Sequence, residues 1–174
     1  MILEATNENI TKAVQSLKKS EVVAFPTETV YGLGAIATNE IAVRKIFKLK
    51  GRPPSNPLIV HIHSIEEIES IALLNNELRE KIIKLSSFWP GPLSVILPKK
   101  DCIPMITTAG FNSVAIRIPK HPVALKLLRL LNKPIAAPSA NISNYISPTS
   151  ALHVEKQFKN LLSYTFLLKI FRIL

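Results

Sequence analysis

The sequence predicts a single α/β domain, and three observations carry that prediction. Short apolar runs bounded by turn residues alternate with stretches of helical periodicity, the pattern of a sheet flanked by helices. The 174 residues are 47% apolar, enough for a real core, and 20% charged, ordinary for a folded chain. No internal repeat, low-complexity tract or linker divides them. Parallel and mixed sheets both fit, because periodicity assigns elements without ordering strands.

The elements follow in order. Thr6 is a candidate cap for a helix whose Ile10, Ala13, Val14 and Leu17 recur at helical spacing. Residues 22–25 read as a buried strand halted by Pro26. Residues 26–34, PTETVYGLG, are punctuated by Pro26, Gly32 and Gly34 and are not expected to be regular throughout. Asn39 caps a second predicted helix with Ala42, Val43, Ile46 and Phe47 on one face, ended by Gly51, Pro53 and Pro54. A strand is expected at 58–62. Ser64 and Glu67 have capping-box spacing for a short third helix. Leu78, Ile82 and Leu85 mark a fourth helix, stopped by Pro90-Gly91-Pro92, and 93–97 reads as a strand. Residues 113–118 alternate, with Val114, Ile116 and Ile118 facing one way and Ser113, Ala115 and Arg117 the other. His121 and Pro122 open a helix through Leu131, 134–137 is a short strand, and Ser147-Pro148-Thr149 opens a last helix.

Charge and cysteine content narrow the function classes. Lys and Arg number 22 against 12 Asp and Glu, a formal charge of +10. Such an excess attracts phosphate-bearing partners, nucleotides or nucleic acid, although solubility alone selects the same balance. Cys102 is the one cysteine, which excludes an intrachain disulfide and fits a reducing, cytoplasmic setting; it reads as a passive thiol. The N-terminal twenty residues lack the basic and apolar blocks of a secretory signal, and no stretch reaches the ~20 apolar residues of a membrane span.

Several short segments carry candidate chemistry, each beside a plainer reading. All five glycines fall in predicted loops, where they let backbone N–H groups approach a ligand or simply permit turns. Lys50-Gly51-Arg52 follows a helix and precedes a proline pair; it suits phosphate binding, or a solvated helix end. His61 and His63 share one strand face, but no cysteine or carboxylate joins them locally, which argues against a metal site. Pro138-Ser139-Ala140-Asn141 lies just past a strand end, where open α/β sheets bind ligands, and also suits a helix cap or turn. Trp89 reads as a packed aromatic at a turn. Apart from Glu28, no acid lies in a candidate motif, so neither a paired-carboxylate hydrolase nor a metal cage is indicated. Ser139 lacks the context of a hydrolase nucleophile.

Together, PTETVYGLG at 26–34, KGRPPSNPLIVHI at 50–62, WPGPLSVIL at 89–97, SVAIRIP at 113–119 and APSANIS at 137–143 resemble the YrdC-like threonylcarbamoyl-AMP synthases. The blocks occur in the family's order, and Lys50/Arg52 with Ser139/Asn141 meet its KxR and SxN signatures. The resemblance implies an open twisted mixed sheet with flanking helices and a positively charged concave face. It implies a nucleotidyltransferase that makes threonylcarbamoyl-AMP and pyrophosphate from L-threonine, bicarbonate and ATP. The product would feed the t6A37 modification of tRNA through downstream transferase proteins. Carried over by motif, Thr29, His61, Arg117 and Ala137 would contact threonine. Arg52, Asn56, Ser113, Ser139 and Ser147 would contact ATP, with Lys50 and Asn141 completing the signatures. Lys50 and Arg52 are expected to stabilise phosphate charge. Magnesium would be held by the phosphates rather than by a protein cage.

The C-terminus departs from the family. Its glycine-rich DGG-type turn and EST-type strand motif are missing, and the chain ends LLSYTFLLKIFRIL, with ten of fourteen residues apolar. The expectation is therefore a family domain over 1–160, incomplete at its end, followed by an atypical tail over 161–174. The tail either leaves a sheet edge exposed or supplies its own strand or helix. Two other readings stand beside the enzyme: a module for double-stranded RNA or nucleotides, and an inactive truncated copy.

Overall fold

A computed structural model describes residues 2–158 and 166–169 of the chain. The first strand, β1 (Ile2–Glu4), precedes α1 (Asn7–Lys18), β2 (Val23–Phe25), β3 (Gly32–Ile36), α2 (Glu40–Lys50) and β4 (Ile59–His61). Two helices follow, α3 (Ile68–Ile71) and α4 (Asn76–Leu85), then the paired strands β5 (Ser94–Pro98) and β6 (Ser113–Arg117). The chain continues through α5 (Pro122–Leu131), β7 (Ile135–Ala136), α6 (Ala151–Phe158) and β8 (Phe166–Lys169). The α/β class expected from the sequence is the one formed.

One sheet holds the strands in the order β1-β8-β2-β3-β7-β4-β6-β5. It is mixed: β8 runs parallel to β1 and β2, and β4 parallel to β6, while β3 and β7 are antiparallel to their neighbours and β5 is antiparallel to β6. Helix starts follow local chemistry. Thr6, Asn39 and Asn75 each accept a backbone N–H from the first turn of the helix they precede, and His121 Nδ1 does the same before Pro122. Gly51, in the left-handed region at φ 58°, ends α2.

Alternation along the strands builds two cores. Ala24, Leu33, Val60, Val114 and Ile116 join Ile46, Phe47, Ile68 and Phe158 on one side. Val23, Phe25, Ile36 and Ile135 join Ile10, Leu17, Leu127 and Leu128 of α1 and α5 on the other.

Three expectations need correction. Gly32 and Gly34 do not lie in a loop; both belong to β3. A Cβ on Gly34 would come within 2.6 Å of Phe25 and 2.7 Å of Ile135, so glycine is there to admit large neighbours. The Ser64/Glu67 capping box does not form: Ser64 makes no side-chain cap, residues 65–67 form a 3-10 turn, and Glu67 Oε2 accepts the His63 backbone N–H instead. The fourth helix ends at Leu85, before the prolines, and a 3-10 turn over Ser86–Phe88 leads to them. β1 was not foreseen. Of the tail expected over 161–174, residues 166–169 pair as β8 between β1 and β2; its remaining residues, like the boundary at 160, lie outside the described residues.

Candidate active site

The second core stops halfway across its face of the sheet. α1 and α5 cover β2, β3 and β7, while the strands beyond β7 lack such cover on that side. Register shows what stands there. Ser94 is opposite Arg117, Ile96 opposite Ala115, and Pro98 opposite Ser113. In turn Arg117 is opposite His61 and Ala115 opposite Ile59. Directly opposed residues share a face. Ser113, Ala115 and Arg117 therefore point to the uncovered side, and Val114 and Ile116, both buried, to the packed side, as the alternation predicted. Ile96 is 71% exposed on this surface.

The parallel pairing of β4 and β6 gives the open face two chemically distinct ends. At the C-terminal ends of both strands lie His61 and Arg117. Arg117 Nε donates to the Gly91 carbonyl at 3.2 Å, and Nη2 to Glu28 Oε1 at 2.7 Å and Thr29 Oγ1 at 3.3 Å. Burial alone would raise the Glu28 pKa, but the hydrogen bond from Arg117, backbone N–H groups and the Arg117 charge bring it below the ordinary value. His61 is buried, with the Phe25 ring edge-on at 6.4 Å between centroids. Desolvation first, then the Arg117 charge, pushes its pKa down to about 4, so the ring is neutral near pH 7.

At the other end, Arg52 Nε and Nη2 donate to the carbonyls of Asn56 and Pro57 at 3.1 and 3.0 Å. This fixes the guanidinium beside the start of β4. Lys50 is buried at 1% exposure; Nζ donates to the Ser139 carbonyl at 2.6 Å and also to that of Asn141. Burial, then the Arg52 charge, lowers its pKa to about 8. Lys50 thus grips the 139–141 segment rather than projecting into solvent. That segment is anchored on its other side, since Leu33 N donates to the Pro138 carbonyl and Ala140 N to that of Tyr31, at 2.9 and 2.7 Å. Asn141 turns its Nδ2 to the carbonyls of Ile142 and Tyr145.

The structure brings most of the sequence-predicted residues to this surface, in two groups. Thr29, His61 and Arg117 gather at one end, and Ala137, whose N–H meets the Ile59 carbonyl at 2.9 Å, lies alongside β4. Lys50, Arg52, Ser139 and Asn141 gather by the other end, with Asn56 beside Arg52 and Ser113 at the N-terminal end of β6. Ser147 is exposed and lines a cavity of about 290 Å³ with Pro148, His153 and Gln157, and the adjacent Pro148 carbonyl accepts the Tyr31 N–H at 2.9 Å. Glu28 is the charged member that motif reading left without a role; its place between two threonines in a strand-leaving turn was the available signal. Trp89 is packed as expected, its Nε1 donating to the Leu93 carbonyl. His63 sits against Glu67, away from His61's partners. Among the described residues no group of three or more His, Cys, Asp or Glu is placed to hold a metal ion, and no helix is long and apolar enough to cross a membrane.

A mixed α/β sheet with a half-uncovered face, an Arg117–Glu28 pair at one end and Lys50 with Arg52 at the other, frames the candidate site. Over residues 15–169 the sequence matches the Sua5/YciO/YrdC family, described as Telomere recombination, and the chain belongs to that family. It is 54% identical to the threonylcarbamoyl-AMP synthase of Pyrococcus abyssi over 142 residues, covering 82% of this chain and 41% of that protein. It is 34% identical to the threonylcarbamoyl-AMP synthase of Psychromonas ingrahamii over 160 residues, covering 92% and 84%. The crystal structure of P. abyssi Sua5 complexed with L-threonine superposes with a TM-score of 0.89 at 45% identity, over 97% of this chain and 50% of that one. The chain spans 41–44% of the length of the relatives from P. abyssi, Bacillus subtilis and Schizosaccharomyces pombe.

Proposed function

We propose that the chain forms L-threonylcarbamoyl-AMP and pyrophosphate from L-threonine, bicarbonate and ATP, a nucleotidyltransfer that supplies t6A37 modification of tRNA through downstream transferase proteins. One observation carries the reading: Arg117, Thr29 and His61 meet at one end of an open sheet face, and Arg52 with the Lys50-held 139–141 segment stands at the other. Membership of a family with threonylcarbamoyl-AMP synthases, and a relative solved with L-threonine, support it.

The threonine ammonium gives up a proton and its nitrogen attacks the bicarbonate carbon, water leaving with a further amine proton lost, to give a carbamate; a carbamate oxygen then attacks the α-phosphorus and pyrophosphate leaves. No covalent enzyme intermediate is required, so the protein's contribution is alignment and charge stabilisation. Arg117 holds the threonine carboxylate and Thr29 the hydroxyl, with His61 and Ala137 closing the amino-acid end. Arg52, with Asn56, Ser113, Ser139 and Ser147, holds ATP. Lys50 acts through the loop it grips: two of the three donors of its ammonium are spent on the Ser139 and Asn141 carbonyls. Magnesium would be carried by the phosphates, with Glu28 engaged by Arg117.

The test is pyrophosphate release by the intact chain, with threonine and bicarbonate each omitted in turn. Dependence on both supports the reading. Arg117→Ala should raise the KM for threonine and Arg52→Ala that for ATP. Equal effects on both ligands in both variants overturn this division of labour. A folded chain with neither turnover nor threonine binding, or one that only binds RNA in a salt-sensitive way, overturns the function.

A further inference from the structure

We propose that Glu28 binds the α-amino group of the amino-acid substrate, so that Arg117 and Glu28 together read the two charged ends of a zwitterion. This rests on the threonine-dependent reading above and goes beyond it, because the family motifs assign Glu28 no role.

Glu28 lies in the connection between β2 and β3, in a turn pinned by Thr27, whose Oγ1 donates to the Val30 carbonyl at 2.6 Å and accepts the Val30 N–H at 3.2 Å. The turn presents Glu28 and Thr29 together to Arg117, across the strands that separate β2 from β6 in the sheet. Glu28 Oε1 is satisfied by the Arg117 guanidinium. Backbone N–H groups of Glu28 and Lys120 also lie toward the carboxylate, yet Oε2 is buried with no partner in hydrogen-bonding geometry among the described residues. A buried carboxylate oxygen without a donor costs free energy that a charged N–H donor restores.

The surroundings say which donor. Arg117 suits a carboxylate and Thr29 a hydroxyl, and both touch the same corner as Glu28. A ligand that bridges these groups and also supplies a cationic N–H donor is a free α-amino acid. His61, neutral near pH 7 and with Nδ1 also buried without a partner among the described residues, can accept an N–H but brings no countercharge to an ammonium, which Glu28 does. Once the amine has been carboxylated to the carbamate its nitrogen still carries one N–H, so the contact survives into the next step with less charge.

The experiment is calorimetric titration of the intact chain with L-threonine and with the matching 2,3-dihydroxybutyrate, which replaces the ammonium by a hydroxyl. The wild type should prefer threonine by roughly tenfold to a hundredfold. Glu28→Gln, which keeps size and a hydrogen-bonding group, should collapse that preference to within about threefold. Equal weakening of both ligands by Glu28→Gln means that Glu28 acts only on structure, and it overturns the inference while sparing the proposed function. Absence of threonine binding to the wild type overturns both. A crystal structure with threonine bound decides the point without any variant: the amine nitrogen about 3 Å from Glu28 Oε2 supports the inference, and an amine turned away from Glu28 overturns it.

Discussion

The same face of the sheet is used in two ways along its width. Under α1 and α5, strands β2, β3 and β7 present Val23, Phe25, Ile36 and Ile135 to Ile10, Leu17, Leu127 and Leu128. Past β7, the same face presents Ile59, Ala115, Ile96, Ser113 and Arg117 with no such cover. A covered strand position must be apolar, because polar groups there have no partner. An uncovered one can carry a guanidinium, a hydroxyl or a small residue over which a ligand lies. The candidate site lies where the helical cover ends, and His61, touching Phe25 on one side and Arg117 on the other, marks the boundary.

The comparison can be broken at several points. The largest effect is expected beneath the cover: Leu127, fully buried, should cost about 2–5 kcal/mol as Leu127→Ala in urea unfolding. A smaller loss would mean that α5 is only loosely seated. At the boundary, the His61 pKa of about 4 lies below the ordinary 6.5, so the unfolded chain takes up its proton first as pH falls. Stability from the neutral ring is complete above pH 6.5 and is lost between there and about 4, by roughly 3 kcal/mol. His61→Asn should flatten that part of the stability–pH curve relative to wild type, and an unchanged slope would show that His61 is not desolvated. Gly34→Ala would push a methyl against Phe25 and Ile135 and should cost about 1–3 kcal/mol, read as a fall in Tm. The smallest effect belongs to the open half. Ile96→Ser should change unfolding free energy by no more than about 0.5 kcal/mol, and a larger loss would show that this side is packed after all.

Legibility in the sequence followed the range of the interactions involved. Helix starts at Thr6, Asn39 and His121-Pro122 were readable because a capping side chain and the backbone N–H it accepts lie within three residues. The alternation of β6 was readable because strand period is local. β3 was hidden by its glycines, whose purpose is set by Phe25 and Ile135 from other strands. Ser64 makes no cap because the Glu67 N–H meets the Ser64 carbonyl in a 3-10 turn, while the Glu67 carboxylate accepts the His63 N–H. Glu28 was visible as an acid inside a motif, but its role depends on Arg117, 89 positions along the chain.

By itself the sequence determined the α/β class, most helix limits, the inward and outward residues of β6, and the short list of charged residues near the site, since each follows from spacing along one segment. Only the tertiary structure decided which of those residues meet. It buried Lys50 against the Ser139 and Asn141 carbonyls, set Glu28 and Thr29 on Arg117, and left half of one sheet face without helices. Strand order and layer coverage control those encounters, and both are settled by long-range packing free energy that no local pattern contains.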